Sequence, residues 1–234
     1  MPIRSKSETG QAMLEFAIVS ISLAFLFAGA FTIGEFLSKA LQVSNVTRTA
    51  AVLMVSAVTN PKADLNLVLN QNQRILIREA NGLGMASDAA FDPYPQSAPA
   101  GNGAIFLSKI ILVGAKECAT AGLTAHGSAP LWDASNCHNF NSYVFAYYVP
   151  IGNSTRWSSK FGKPPTADVL SDGTVSALNI AQDTGDEVVT ATMTAVITLA
   201  QSQYALVSET YADVSSIAIF SPYPPPIIYY RSIT

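Results

Sequence analysis

Residues 10–33 read GQAMLEFAIVSISLAFLFAGAFTI, and no charged side chain lies between Glu15 and Glu35. From Phe16 to Ile33 only Ser20, Ser22, Gly29 and Thr32 interrupt the apolar run. A helix climbs about 1.5 Å per residue and a bilayer's hydrocarbon core is roughly 30 Å thick, so a run of this length can cross one. Glu15 stands where the run opens, five residues after Gly10, and a polar leader with Arg4 and Lys6 precedes it. On insertion scales a charged side chain at the centre of a membrane helix costs about 2.5 to 3.5 kcal/mol, and less near the interface, so Glu15 calls for a partner. Only Lys39 follows the run closely, and the positive-inside bias then puts the N-terminus in the cytoplasm and the bulk of the chain outside.

Gly10 followed by QAMLEF resembles the prepilin-peptidase site of type IV pilin-like proteins, where a glycine precedes the cut and a glutamate is fifth in the mature chain. The Glu15-Phe16 pair with AIV after it is similar to the TadE-like pseudopilins of tight-adherence pili. VTRTAA from Val46 to Ala51 and GDEVV from Gly185 resemble weaker signatures of the same family. The chain departs from the family where a proline is common early in the run, having Ser20, Ile21 and Ser22 instead. The resemblance implies cleavage between Gly10 and Gln11 by a prepilin peptidase, with Glu15 and Phe16 guiding packing against neighbouring subunits. It further implies a minor or priming subunit in a bacterial inner membrane, working with other pilins or pseudopilins and a pilus assembly platform, by assembly and not as an enzyme.

The residues themselves supply a physical rationale. A cut after Gly10 leaves a cationic amine on Gln11 one helical turn from Glu15. Unit charges about 4 Å apart attract by about 4 kcal/mol at an effective dielectric of 20, before desolvation is set against them. Glu15 of one subunit can therefore seek the amine of another. Two rival readings compete. A secretory signal peptide would use Ala28-Gly29-Ala30 as its cleavage site, but the run exceeds the usual 7 to 15 residues of such a segment, roughly stated, and Glu8 and Glu15 lie in what should be a basic leader. The alternative class is a single-pass anchored extracytoplasmic protein that binds a ligand and whose helix never leaves lipid.

The 234 residues are 49% hydrophobic and only 12% charged, with a net charge of -3. A soluble domain averages roughly 25% charged residues, so the composition agrees with a membrane-linked chain. No stripe of Lys and Arg is present that could neutralise a row of phosphates, which argues against nucleic acid as a partner. The expected organisation is a leader over 1–10, a transmembrane helix over 11–35, an amphipathic extension over 36–60 and an extracytoplasmic α+β domain over 61–234.

In the extension, Phe36, Leu37, Ala40, Leu41, Val43, Val46, Ala50, Leu53, Met54 and Ala57 recur at helical spacing, a stripe that suits a domain core or a neighbouring helix. Ser20, Ala24, Ala28 and Thr32 form a row of small residues in the apolar half, which permits close helix approach. Asn60-Pro61 ends the element, Asp64 to Ala80 reads as a second helix stopped by Asn81-Gly82, and 81–103 as a loop. Strands are expected over Ala104–Val113, Tyr143–Ile151, Glu187–Leu199 and Val214–Phe220, with 152–185 as an excursion between strands. Of these, VVTATMTAVITLA alternates most clearly. The tail SPYPPPIIYYRSIT reads as a proline-rich approach to a last edge strand. The fold class is then α+β: a long N-terminal helix, part of which lies on a small, mainly antiparallel sheet, with a second helix.

Cys118 and Cys137 are nineteen positions apart and fall outside the cytoplasm by this topology, where a disulfide persists. A zinc set of Cys118, His126, Cys137 and His138 lacks the usual ligand spacing, and two free thiols remain a third possibility. Neither a nucleophile elbow nor a phosphate loop nor an HExxH helix is present, so no catalytic residue, cofactor or metal is assigned. Asp183, Asp186 and Glu187 flank Gly185 and read as a solvated turn in preference to an acid-base pair or calcium site. Asn45 and Asn153 head glycosylation-like triplets, which need not be modified in a bacterium.

Overall fold

The computed structural model describes residues 7–59, 103–127, 131–213 and 227–234. The expected helix over 64–80, the loop over 81–103 except Gly103 (which begins a strand), the strand over 214–220 and the first six residues of the leader lie outside these. One unbroken helix, α1, runs Ser7–Thr59, about 80 Å at the standard rise. Among the described residues four strands follow: β1 (Gly103–Leu112), β2 (Tyr143–Gly152), β3 (Tyr204–Asp213) and β4 (Ile227–Ile233). They form one antiparallel sheet in the order β2-β1-β3-β4. Between the strands, among the described residues, stand three short helices: α2 (Ala115–Thr120), α3 (Ala177–Gln182) and α4 (Thr190–Thr194). The class is α+β, with the C-terminal half of α1 lying on the sheet.

That half of α1 presents Val43, Val46, Ala50 and Met54 to Ile105, Leu107, Tyr147, Val149, Ile151, Leu206, Ala212 and Ile228. Phe36 and Ala40 extend the contact as partly buried neighbours, so the inward positions 36, 40, 43, 47, 50 and 54 step by four and three residues. The stripe drawn from sequence was too wide. Leu37 and Leu41 stay exposed, because they fall on the far side of the cylinder. Beneath the helix, β3 offers Ser208, Thr210 and Ala212, and these short side chains leave room for it to settle close.

A β-bulge divides the odd-numbered residues of β2 between the two cores. Lys109 pairs with Tyr147, but the next residue, Ile110, pairs with Phe145, which leaves Ala146 as the extra residue. Tyr147, Val149 and Ile151 consequently face α1, while Tyr143 and Phe145 turn to the opposite core. There they meet Phe106, Trp157, Phe161, Val175, Val188, Met193, Leu199 and Tyr211. The sheet is thus covered on one face by α1 and on the other by an irregular layer drawn from residues 157–199.

One strand expectation needs correction, and one strand was not expected. Residues Glu187–Leu199 do not form a strand. Glu187 bridges Val144 and the Val188 N–H donates to Tyr143 at 2.8 Å, after which the chain leaves the edge of β2 and coils as α4. The reason is that residues 173–175 already occupy that edge from Ala146 to Tyr148, so a long strand has nowhere to pair. Val188, Met193 and Leu199 are buried at spacings that match neither face of a strand. Conversely, β3 lies in a stretch read as no element, because its polar residues Ser208, Glu209 and Thr210 are buried and break the apolar pattern. The proline-rich tail does lead into an edge strand, β4.

Candidate functional site

Gly10, Gln11, Glu15 and Phe16 all lie on α1, in helical conformation and exposed. A Cβ on Gly10 would meet no atom within 4 Å apart from the helix's own neighbouring backbone. Gln11 Nε2 donates to Glu15 Oε1 at 3.1 Å, a pairing between successive turns that sequence reasoning missed although the four-residue spacing announces it. It engages one carboxylate oxygen. Phe16 is 76% exposed and begins a bare surface that includes Ile18, Val19, Ile21, Leu23, Leu26, Phe27, Phe31 and Ile33. None of these packs on the sheet. Two of the hydroxyls within the run are satisfied by the helix itself: Ser22 Oγ donates to Ile18 O at 3.0 Å and Thr32 Oγ1 to Ala28 O at 2.7 Å. Back-bonding of this kind suits a medium that offers no water to hydroxyl groups.

Among the described residues one helix is long and apolar enough to cross a membrane, and it contains this site. Burying a large apolar side chain is worth about 1.5 to 3 kcal/mol, so the nine named from Phe16 to Ile33 together forgo more than about 10 kcal/mol if left in water. The folded domain does not cover them. An apolar solvent or neighbouring helices would.

No protein-family model, curated protein or solved structure matches this chain.

Cys118 and Cys137 are joined, with Cα atoms 5.8 Å apart, and both are buried in a small third core with Val113, Val144 and Ala181. His126 and His138 are exposed, and no group of three or more His, Cys, Asp or Glu that could hold a metal exists among the described residues. The solvated turn expected around Gly185 is only partly one. Asp183 does cap Gly185 N–H at 2.7 Å, but Asp186 is fully buried because the turn folds against β2 and the segment before it. Burial, with Asp168 and Asp183 as like-charged neighbours, pushes Asp186 up to about 7.

Sequence reasoning also passed over Glu209. This fully buried carboxylate accepts from Ser159 Oγ, from Lys160 N–H at 3.0 Å and from the Tyr229 hydroxyl at 2.8 Å. It fastens the 157–161 loop to β3 and β4. Burial, then the charge of Glu209, holds the Tyr229 hydroxyl well above the usual tyrosine range. Arg156, half exposed, reaches a buried carboxylate at the end of β3, its Nη2 lying 2.5 Å from Asp213 Oδ2.

Proposed function

We propose that the chain is a TadE-like pseudopilin, a minor or priming subunit for a tight-adherence pilus, cleaved after Gly10 and acting by assembly in place of catalysis. What supports the reading is the continuity of α1. A bare apolar half carrying the Gly10-Gln11 bond and Glu15 passes without a break into a half that is part of the folded domain's core. A subunit of this shape can be stored with its apolar half in the inner membrane and drawn into a helical bundle with its domain outward. Glu15, at the edge of the run, can exchange its Gln11 side-chain partner for the new amine of an adjacent subunit. The proposed partners are a prepilin peptidase, other pilins or pseudopilins, the assembly platform and membrane lipid.

N-terminal sequencing of protein purified from membranes tests the proposal. A start at Gln11 supports it, whereas Met1 or Pro2 supports an anchored binding protein and a start near Phe31 a secreted one. One observation favours the anchored binding protein as the second reading. An open cavity of about 280 Å³ lies beside β2, lined by Tyr148, Pro150, Ser154, Lys163, Pro164 and Thr166 among others.

A further inference from the structure

Asp186 closes the short 3-10 turn Thr184–Asp186, and neither of its carboxylate oxygens has a hydrogen-bond partner among the described residues. Asn139 is equally buried. Its Nδ2 donates to the carbonyls of Ile180 at 3.0 Å and Asp183 at 2.8 Å, while its Oδ1 has no partner there either. The two residues meet at one atom, because the Asp183 carbonyl also accepts the Asp186 N–H at 3.3 Å. Two buried acceptors in one neighbourhood therefore lack a donor. The charged groups that act on Asp186 are Asp168 and Asp183, both acidic. Each is committed elsewhere, Asp168 Oδ1 to Asn179 Nδ2 at 2.8 Å and Asp183 Oδ1 to Gly185 N–H at 2.7 Å. A carboxyl in such a place satisfies the chemistry by keeping its proton, since a neutral acid is itself a donor.

We propose that Asp186 and Asn139 form a proton-operated clasp, in which the protonated carboxyl donates to Asn139 Oδ1 and seats residues 183–188 on the outer edge of β2. What the clasp holds is specific. Asn139 N–H donates to Ala181 O at 3.1 Å, the Val188 N–H donates to Tyr143 O at 2.8 Å, and Val144 bridges Glu187. Loss of the proton leaves a bare carboxylate between two others and drives the segment off, uncovering the Tyr143–Val144 edge. The inference is independent of the pilus reading, needing only this corner of the fold.

The sign follows from linkage. Asp186 binds its proton more tightly in the seated state, up to about 7, than an ordinary aspartate does near about 4. Seating therefore takes up a proton across that window. The clasp is at full strength below about pH 4, weakens by up to about tenfold in its opening constant per pH unit as pH rises towards 7, and changes no further above it.

Two measurements on the full chain in detergent micelles test this. Carbon-13 NMR of the aspartate carboxyls is expected to show Asp186 titrating near 7, and Asp183→Asn to lower that midpoint by removing a like charge. Hydrogen exchange at Val188, corrected for intrinsic rate, is expected to lose protection between pH 5 and 7 and level off beyond. In Asp186→Asn, which keeps a donor but cannot ionise, the protection is expected to be independent of pH. An Asp186 midpoint in the ordinary aspartate range overturns the proposal even if the variant fails to fold, and so does an unchanged pH slope in Asp186→Asn.

Discussion

The two halves of α1 are built from the same kinds of residue and meet opposite fates. Residues 10–35 carry large apolar side chains on every side, and not one of these is buried, whereas residues 36–56 confine their inward positions to one stripe that fits the sheet. The difference lies in periodicity. An all-round apolar surface cannot be hidden by a single sheet face, so it requires a surrounding medium or a ring of neighbours. A stripe needs only one partner, and this chain supplies it.

The comparison breaks most visibly at Met54. Its side chain is 2% exposed between α1 and the sheet, so Met54→Ala is expected to destabilise the domain by about 2 to 5 kcal/mol. Leu26→Ala, at a position 71% exposed, is expected to change domain stability by no more than about 0.5 kcal/mol. Thermal unfolding in detergent, followed by near-ultraviolet circular dichroism, reads both. Equal losses would mean that the bare half is packed on something within the folded chain.

Swapping the perturbation reverses the ranking of the halves. Leu23→Arg places a charge mid-run at a cost of about 2.5 to 3.5 kcal/mol to membrane insertion, and alkaline extraction of membranes should release much of that variant. Leu41→Arg, exposed on the sheet-bearing half, should remain as firmly associated as the parent. Release of both, or of neither, would remove the boundary drawn between them.

A comparable loss is expected away from the helix. Replacing Cys118 and Cys137 by Ala opens a loop whose closure is worth about 3 kcal/mol on chain-entropy grounds. The third core containing Val113 and Ala181 should loosen first, and α1 should stay seated on its own core. Site-resolved hydrogen exchange distinguishes that outcome from a uniform loss.

Much of this division was legible in the chain, and the reasons for the failures are physical. The absence of charge between Glu15 and Glu35 and the three-four spacing from Phe36 onward specify α1, β-branched and aromatic runs specify β1 and β2, and the proline-rich tail points to β4 at an edge. β3 was hidden because Ser208 and Thr210 make room for a helix and Glu209 is held by Ser159 and Tyr229, and such polar interiors depend on contacts distant in sequence. The error over 187–199 has the same root. Alternation there is genuine, yet pairing requires a vacant edge, and only the folded chain shows that residues 173–175 have taken it. Of the candidate site, Gly10 and Glu15 could be picked out by position, and the burial of Asp186 could not, since turn residues ordinarily face water.

The smallest effect on folding belongs to the residue on which the proposed function leans hardest. Glu15 accepts from Gln11 on an exposed helical turn, a bond worth about 0.2 to 0.5 kcal/mol, so Glu15→Ala should leave the domain's melting temperature nearly unchanged. A carboxylate at the edge of an apolar run, engaged by so weak a partner, is poorly explained as a stabiliser of its own chain. On the proposed reading it is a group held ready for a stronger, cationic partner, the amine that a cut after Gly10 would leave on Gln11. Glu15→Ala is therefore expected to be cut, folded and membrane-held like the parent while surface fibres fall several-fold. Glu15→Gln separates charge from hydrogen bonding, and fibres as abundant as the parent's in both variants would show that the carboxylate has no part in assembly.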